Sequence, residues 1–194
     1  DLKDWKKSGL INDYMVLPYD WRIDFKDVIK SGIDNNGKIY YSLETNSPFI
    51  TKEIDRMIEN SANGKVTIVA HSMGGLITKT LLSDWEQNVN EENTERLQSI
   101  ENVILVASPQ LGTPKAIPAL LHGFDQALLK FGFTLEQWKA RELSRNMPSA
   151  YNLLPSSAYF ERVKEIAGES IIAPEVILFD ESLKLLFSND DEQF

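Results

Sequence analysis

Residues 65–82, KVTIVAHSMGGLITKTLL, constrain the fold more than any other stretch of the chain. Residues 65–70 form a short apolar run rich in β-branched side chains, the composition of a buried strand. His71-Ser72-Met73-Gly74-Gly75 breaks the run, and Leu76, Ile77, Leu81 and Leu82 then recur at helical spacing. The pattern predicts a strand, a tight turn with Ser72 at its apex, and a helix, which is the arrangement of a nucleophile elbow. That motif is usually written Gly-x-Ser-x-Gly, and here Ala70 holds its first position. Ala suffices, because the position needs only a side chain small enough for strand and helix to pass closely. Gly74 is expected to leave room where the helix starts against the strand. Ser72 would sit in a strained turn with its hydroxyl exposed, and the Met73 backbone N–H would face a forming oxyanion. The competing possibility is a plain strand–turn–helix connection in a doubly wound sheet, with Ser72 and the glycines capping a helix or holding a phosphate. Neither Gly-x-x-x-x-Gly-Lys-Ser/Thr nor Gly-x-Gly-x-x-Gly is present, which disfavours phosphate.

At 194 residues the chain suits one domain with a substantial core. The net charge of -9, from 29 acidic and 20 basic residues, argues against nucleic acid and against electrostatic docking on anionic lipid. It leaves neutral or zwitterionic lipid substrates open. With no cysteine, disulfides, thiolate metal sites and cysteine nucleophiles are excluded, while the redox compartment stays open. No apolar run is long enough to suggest a membrane span and no signal peptide is visible, though a chain starting at Asp1 is compatible with a processed leader. Nothing in the sequence calls for a cofactor or a metal. Histidine is scarce: His71 and His122 are the two in the sequence, and a serine hydrolase needs one as general base.

In chain order, residues 1–9 read as an amphipathic helix ending at Gly9, and residues 13–17 (DYMVL) as a short strand closed by Pro18. Asp20 is expected to cap a following helix with Phe25, Val28 and Ile29 on its apolar face. Arg22 reads as an ion-pair partner within the scaffold, and Trp21 as core, with substrate contact as its alternative. Asp34-Asn35-Asn36-Gly37 is a turn cluster before KIYYSL, which predicts a small hairpin. Ser47 as cap and Pro48 in the first turn start a helix with Ile50, Ile54, Met57 and Ile58 on one face, ended by Gly64. Residues 86–95 read as a solvated acidic loop. Residues 100–107 read as a second buried strand, parallel to the first because a strand–helix–strand unit favours that connection. Ser108 to Pro114 would follow at the C-terminal end of the strands, where ligand sites of open α/β sheets lie, although ordinary turn chemistry also explains this loop. Beyond Ala116 the alternation of strand and helix stops. Residues 119–133 read as helical in pieces, 137–145 as a charged helix and 147–155 as an irregular path fixed by two prolines. Residues 175–179 are a candidate strand and 180–187 a candidate helix. Apolar insertions here would suit a lid over an acyl-binding cleft, or simply more helical core.

Four stretches together resemble one family. PYDWR (residues 18–22), VAHSMGGL (69–76), SPQLGTPKA (108–116) and MPSAYNLLP (147–155) look like the lecithin:cholesterol acyltransferase-like α/β-hydrolases, a group of phospholipases, lipases and acyltransferases. Order and approximate spacing agree over most of the chain, most weakly across 35–43 and beyond Tyr159. The resemblance implies an α/β-hydrolase core, a mostly parallel sheet flanked by helices, incomplete at both ends, with a largely helical cap. As domains it implies one partial domain over 1–194, with core and elbow in 1–117 and cap or lid in 118–194. It implies Ser72 as acyl-accepting nucleophile and Met73 N–H as an oxyanion donor. Tyr19, Trp21, His71 and Leu111 are the candidate substrate contacts. The implied partner is a lipid or other acyl ester, with transient membrane or lipoprotein contact through the cap and a secreted or cell-surface address; no nucleic acid is expected.

In such an enzyme serine attacks an ester carbonyl, His takes its proton, Asp orients His, and the acyl group passes to water or an alcohol. The family's Asp and His come after strands that find no match here, so the chain is expected to be the middle of a longer protein and inactive alone. His71 is adjacent to Ser72 and the two side chains should point apart. His122 would have to fold back from the cap, out of the Ser, Asp, His order. Asp180 has no His after it. Two alternatives remain: a non-catalytic module that keeps the elbow without a base, and a hydrolase of non-lipid esters or amides. Cutting an open sheet on both sides would leave bare edges and apolar faces, so residues 1–194 alone are expected to be poorly stable or to aggregate.

Overall fold

A computed structural model describes residues 1–41, 47–123 and 136–167. In chain order the described elements begin with α1 (Leu2–Lys7), α2 (Phe25–Lys30), β1 (Ile33–Asn35), β2 (Lys38–Tyr40), α3 (Phe49–Glu59) and β3 (Val66–His71). They continue with α4 (Met73–Gln87), α5 (Glu91–Ser99), β4 (Ile100–Val106), α6 (Ala116–His122), α7 (Gln137–Arg145), α8 (Pro148–Asn152) and α9 (Ser157–Ala167). The chain divides into two compact units: Asp1–Gln110 with Met147–Asn152, and Leu111–Asn146 with Leu153–Phe194.

The first unit is built on β3 and β4, which pair in parallel with Val69 opposite Ile104 and His71 opposite Val106. The connection between them runs through α4 and α5, as the strand–helix–strand pattern requires. Helices α2, α3 and α4 contribute the core: Phe25, Val28 and Ile29, then Phe49, Ile50 and Ile54, then Ile77, Leu81 and Trp85. Val66 and Ile68 of β3 pack against this cluster. Each such side chain contributes about 1.5–3 kcal/mol on burial, against about 0–1 kcal/mol for an exposed ion pair, so apolar packing sets this unit's stability. Alternation sends Thr67, Val69 and His71 of β3, with Asn102, Ile104 and Val106 of β4, to the other face. That face is exposed, at 63% for Val69, 49% for Ile104 and 44% for Val106. The parallel pair and its helices make this a mixed helix and strand unit, compatible with part of an α/β fold.

Strands β1 and β2 form the expected hairpin, with Asn35 opposite Lys38 and Asn36-Gly37 as its two-residue loop. Gly32, at φ 122°, leads into it where a Cβ would lie 2.7 Å from the Phe49 Cβ. In the second unit α6 packs on α7. Gly123 closes α6 at φ 66°, where a Cβ would lie 2.1 Å from the Gln137 carbonyl oxygen. Among the described residues no helix is long and apolar enough to cross a membrane.

Several local expectations are corrected. Residues 13–17 form no strand, because among the described residues nothing pairs with their backbone. Asp20 does not cap α2; Asp24 does, its side chain accepting from Lys26 N–H at 2.8 Å. Trp21 is not core, being 55% exposed. Pro48, not Ser47, holds the cap position of α3, and that helix ends at Glu59 rather than Gly64. Residues 86–95 are not one loop: α4 runs to Gln87, and Asn90 caps α5 by accepting from Asn93 N–H. Residues 147–155 include a short helix, α8. The candidate strand 175–179, the candidate helix 180–187, Asp180 and residues 124–133 of the stretch read as helical in pieces lie outside the described residues.

Candidate functional site at the end of strand β3

Ser72 stands between β3 and α4 at φ 52° and ψ -126°. A positive φ brings the Cβ of an L-residue against its own backbone, so such a residue is held there at a cost of about 1–3 kcal/mol. Two backbone bonds hold it. The Ser72 N–H donates to the Val106 carbonyl at 2.8 Å, extending the β3–β4 ladder by one step, and the Ser72 carbonyl accepts from Gly75 N–H at 3.1 Å. The Ser72 side chain makes no capping bond to α4 and is half-buried. Its hydroxyl is therefore not spent on a capping bond to α4, one of the two roles the plain-turn alternative offered. The N–H groups of Met73 and Gly74 open a 15-residue helix, and first-turn donors have no acceptor within the helix. They carry its positive dipole end.

The expectation for Gly74 shifts to its neighbour. A Cβ on Gly74 would make only ordinary contact, 3.8 Å from the Tyr19 hydroxyl oxygen. A Cβ on Gly75 would lie 2.1 Å from Ser108 Oγ and 2.6 Å from Ser108 Cβ, so Gly75 is where α4 passes β4 closely. Ser108 follows Ala107, which is at φ 50°, and the Ser108 hydroxyl is buried without a hydrogen-bond partner among the described residues. The sequence displayed both glycines and the Ser108-Pro109 turn, but not that they meet.

The segment expected near the cleft lies in the same unit. Tyr19 stands over the first turn of α4 through its contact at Gly74, and burial pushes its hydroxyl pKa up. Asp20 takes three bonds from Arg22: Nε at 2.9 Å, Nη2 at 2.6 Å and the backbone N–H at 3.0 Å. The guanidinium holds the Asp20 carboxyl below its usual range, against a smaller opposing effect of burial. Arg22 is thus an ion-pair partner as expected, with a largely exposed side chain. Tyr41, unremarked in the sequence, donates from its hydroxyl to the Pro18 carbonyl at 2.7 Å, and burial, with the Asp20 charge adding to it, pushes its pKa up to about 12. The Ser149 N–H of α8 reaches the Arg22 carbonyl at 3.5 Å.

His71 ends β3, exposed and on the face opposite Ala70. Trp21 is exposed. Leu111 and His122 belong to the second unit, where the Leu111 carbonyl accepts from Ser156 N–H at 2.9 Å and His122 ends α6. Among the described residues no cluster of His, Asp and Glu could hold a metal ion.

The family model described as lecithin:cholesterol acyltransferase matches residues 2–190. The chain is similar to lecithin-cholesterol acyltransferase-like 4 of Arabidopsis thaliana, at 26% identity over 110 residues. That match covers 53% of this chain and 18% of the relative, so the chain spans under a fifth of the relative's length there. No solved structure matches. With a family model spanning nearly its whole length, the chain belongs to the lecithin:cholesterol acyltransferase family.

Proposed function

We propose that the chain carries the nucleophile of an acyl-transferring serine enzyme that acts on lipid-type esters, with Ser72 as that nucleophile. The observation that supports this most is the backbone of Ser72: a non-glycine residue at φ 52°, at the N-cap position between a strand and a 15-residue helix, whose side chain makes no capping bond. Strain at a residue whose side chain makes no capping bond fits a functional role. Membership of the family supports the acyl-ester class.

In this mechanism Ser72 Oγ attacks the ester carbonyl carbon while its proton passes to a general base. The carbonyl oxygen takes the negative charge and is stabilised by the Met73 N–H at the positive end of α4. Collapse expels the alcohol, which regains the proton, and leaves an acyl ester on Ser72. Water or an acceptor alcohol then attacks that ester, the base again removing a proton, and Ser72 is regenerated. Tyr19, over the first turn of α4, is a wall of the acyl site. Neither His71 nor His122 is assigned as base. The base and the carboxylate that orients it are proposed to lie outside residues 1–194, with residues 118–194 as the beginning of a cap that meets the lipid surface in a secreted or cell-surface protein.

The test uses the complete natural protein. A fluorophosphonate probe should label Ser72, read by peptide mass spectrometry, and Ser72→Ala should lose labelling and lower ester turnover by roughly 10⁴-fold or more while the far-UV circular dichroism is unchanged. Labelling elsewhere, or turnover retained by Ser72→Ala, removes the assignment. Lipid binding without labelling or turnover would instead establish the non-catalytic module.

A further inference from the structure

Asn–Gly occurs twice in the chain, at Asn36-Gly37 and Asn63-Gly64. In this dipeptide no side chain shields the backbone nitrogen that follows the carboxamide, and a five-membered ring can close between them. The two copies are held very differently.

Asn36 and Gly37 form the two-residue loop of the β1–β2 hairpin, at φ 54° and 79°. Positive φ at both positions is what a type I′ turn requires. Both residues are exposed, as is every residue of β1. A hairpin of two three-residue strands is marginal by itself, so its tip opens at little cost. The Asn36 carboxamide makes no hydrogen bond with any described residue. The Gly37 N–H donates to Asp34 Oδ1 at 2.8 Å, so its partner is a carboxylate able to receive a proton.

At the second copy both reacting groups are tied. Asn63 Oδ1 accepts from Lys65 N–H at 3.1 Å and lies 2.8 Å from Ser61 Oγ. The Gly64 N–H donates to the Ser61 carbonyl at 3.3 Å. This turn leads directly into β3, whose Val66 and Ile68 pack on the core.

We propose that Asn36 is a site of spontaneous modification by deamidation through a succinimide. The Gly37 nitrogen bonds to the Asn36 side-chain carbonyl carbon and loses its proton to Asp34 or solvent. The tetrahedral intermediate breaks its bond to the amide nitrogen, which leaves as ammonia after taking up a proton. Water then opens the ring at either carbonyl, giving aspartate or isoaspartate at position 36. The sum is one water consumed and one ammonia released, with no oxidant or reductant. The product carries an added negative charge next to Asp34, and the isoaspartyl form adds a backbone carbon to a two-residue loop. The strand leaving that loop runs to Tyr41, which is bonded to the Pro18 carbonyl, so the change is made two tethers away from Tyr19.

The test compares the folded protein with the same protein in guanidinium, both held in mildly alkaline buffer. Products are mapped by peptide mass spectrometry, and isoaspartate is counted with an isoaspartyl methyltransferase. In guanidinium both sites should react at similar rates. In the folded protein Asn36 should stay within roughly threefold of its unfolded rate, while Asn63 slows by roughly tenfold or more. Asn36→Gln, which lengthens the side chain and disfavours the ring, should abolish the modification in the hairpin and leave Asn63 unchanged. Equal retardation of the two sites, or faster reaction at Asn63, overturns the proposal.

Discussion

Ser72, Gly75 and Ser108 show how few atoms decide the geometry of the elbow. The first-turn donors of α4 are useful only if the helix starts where it does, and Gly75 permits that start because Ser108 fills the space its side chain would take. Gly75→Ala should therefore destabilise the first unit by about 1–3 kcal/mol, the usual cost of overpacking. Ser108→Gly should recover part of that loss in the double variant, as a urea-denaturation cycle would measure; additive losses would place the strain elsewhere. The Asp20–Arg22 contact makes a pH prediction. Asp20 has a folded pKa below its ordinary value of 3.8, so its contribution is present above that value and is lost as pH falls through the folded one. The Arg22 Nε–H resonance should thus keep its bonded shift at neutral pH and lose it in acid below about pH 3.8. Asp20→Asn should lack the bonded shift at every pH.

At the scale of elements, period and length carried most of what could be read. The β3–α4–β4 unit and its parallel pairing followed from a β-branched run, a Gly-rich break and a second β-branched run. The hairpin followed from Asn36-Gly37, because few residue pairs tolerate two positive φ values. The misreadings have physical causes. Residues 13–17 have strand composition, but a strand exists only with a hydrogen-bonding neighbour, and composition does not supply one. Residues 86–95 are polar enough for a loop, yet Asn90 caps a helix there and Arg96 anchors it. Arg96 donates to both Asp55 oxygens, at 2.8 and 2.9 Å, and lies over the Trp85 ring. Asp20 and Asp24 both precede a helical pattern, and only backbone geometry distinguishes the cap. At the candidate site Ser72 was legible from spacing alone, whereas the Gly75–Ser108 and Tyr19–Gly74 contacts join residues far apart in sequence. Arg96→Ala should lower stability by about 1–2 kcal/mol, since it strands the partly buried Asp55. A calorimetric melt checks this, and no change in Tm would reduce α5 to a solvated connector.

At the scale of the whole molecule, the exposed face of β3 and β4 presents Val69, Ile104 and Val106 together. Apolar side chains on an exposed sheet favour self-association. Residues 1–194 alone are accordingly predicted to aggregate on concentration, and Ile104→Lys to raise the soluble fraction with little change in Tm. Light scattering against concentration would decide, and a monodisperse parent protein would dismiss the prediction. The first unit is also discontinuous: Met147–Asn152 joins Asp1–Gln110, with the Ser149 N–H meeting the Arg22 carbonyl. That has a consequence in time. During synthesis the elbow, both parallel strands and their core helices emerge first, and the ribosome must add roughly 40 more residues, a few seconds at about 5–20 residues per second, before the last piece of the unit exists. For that interval the nascent chain carries an unfinished unit with an apolar sheet face in the open, the period in which a chaperone would find the most to hold.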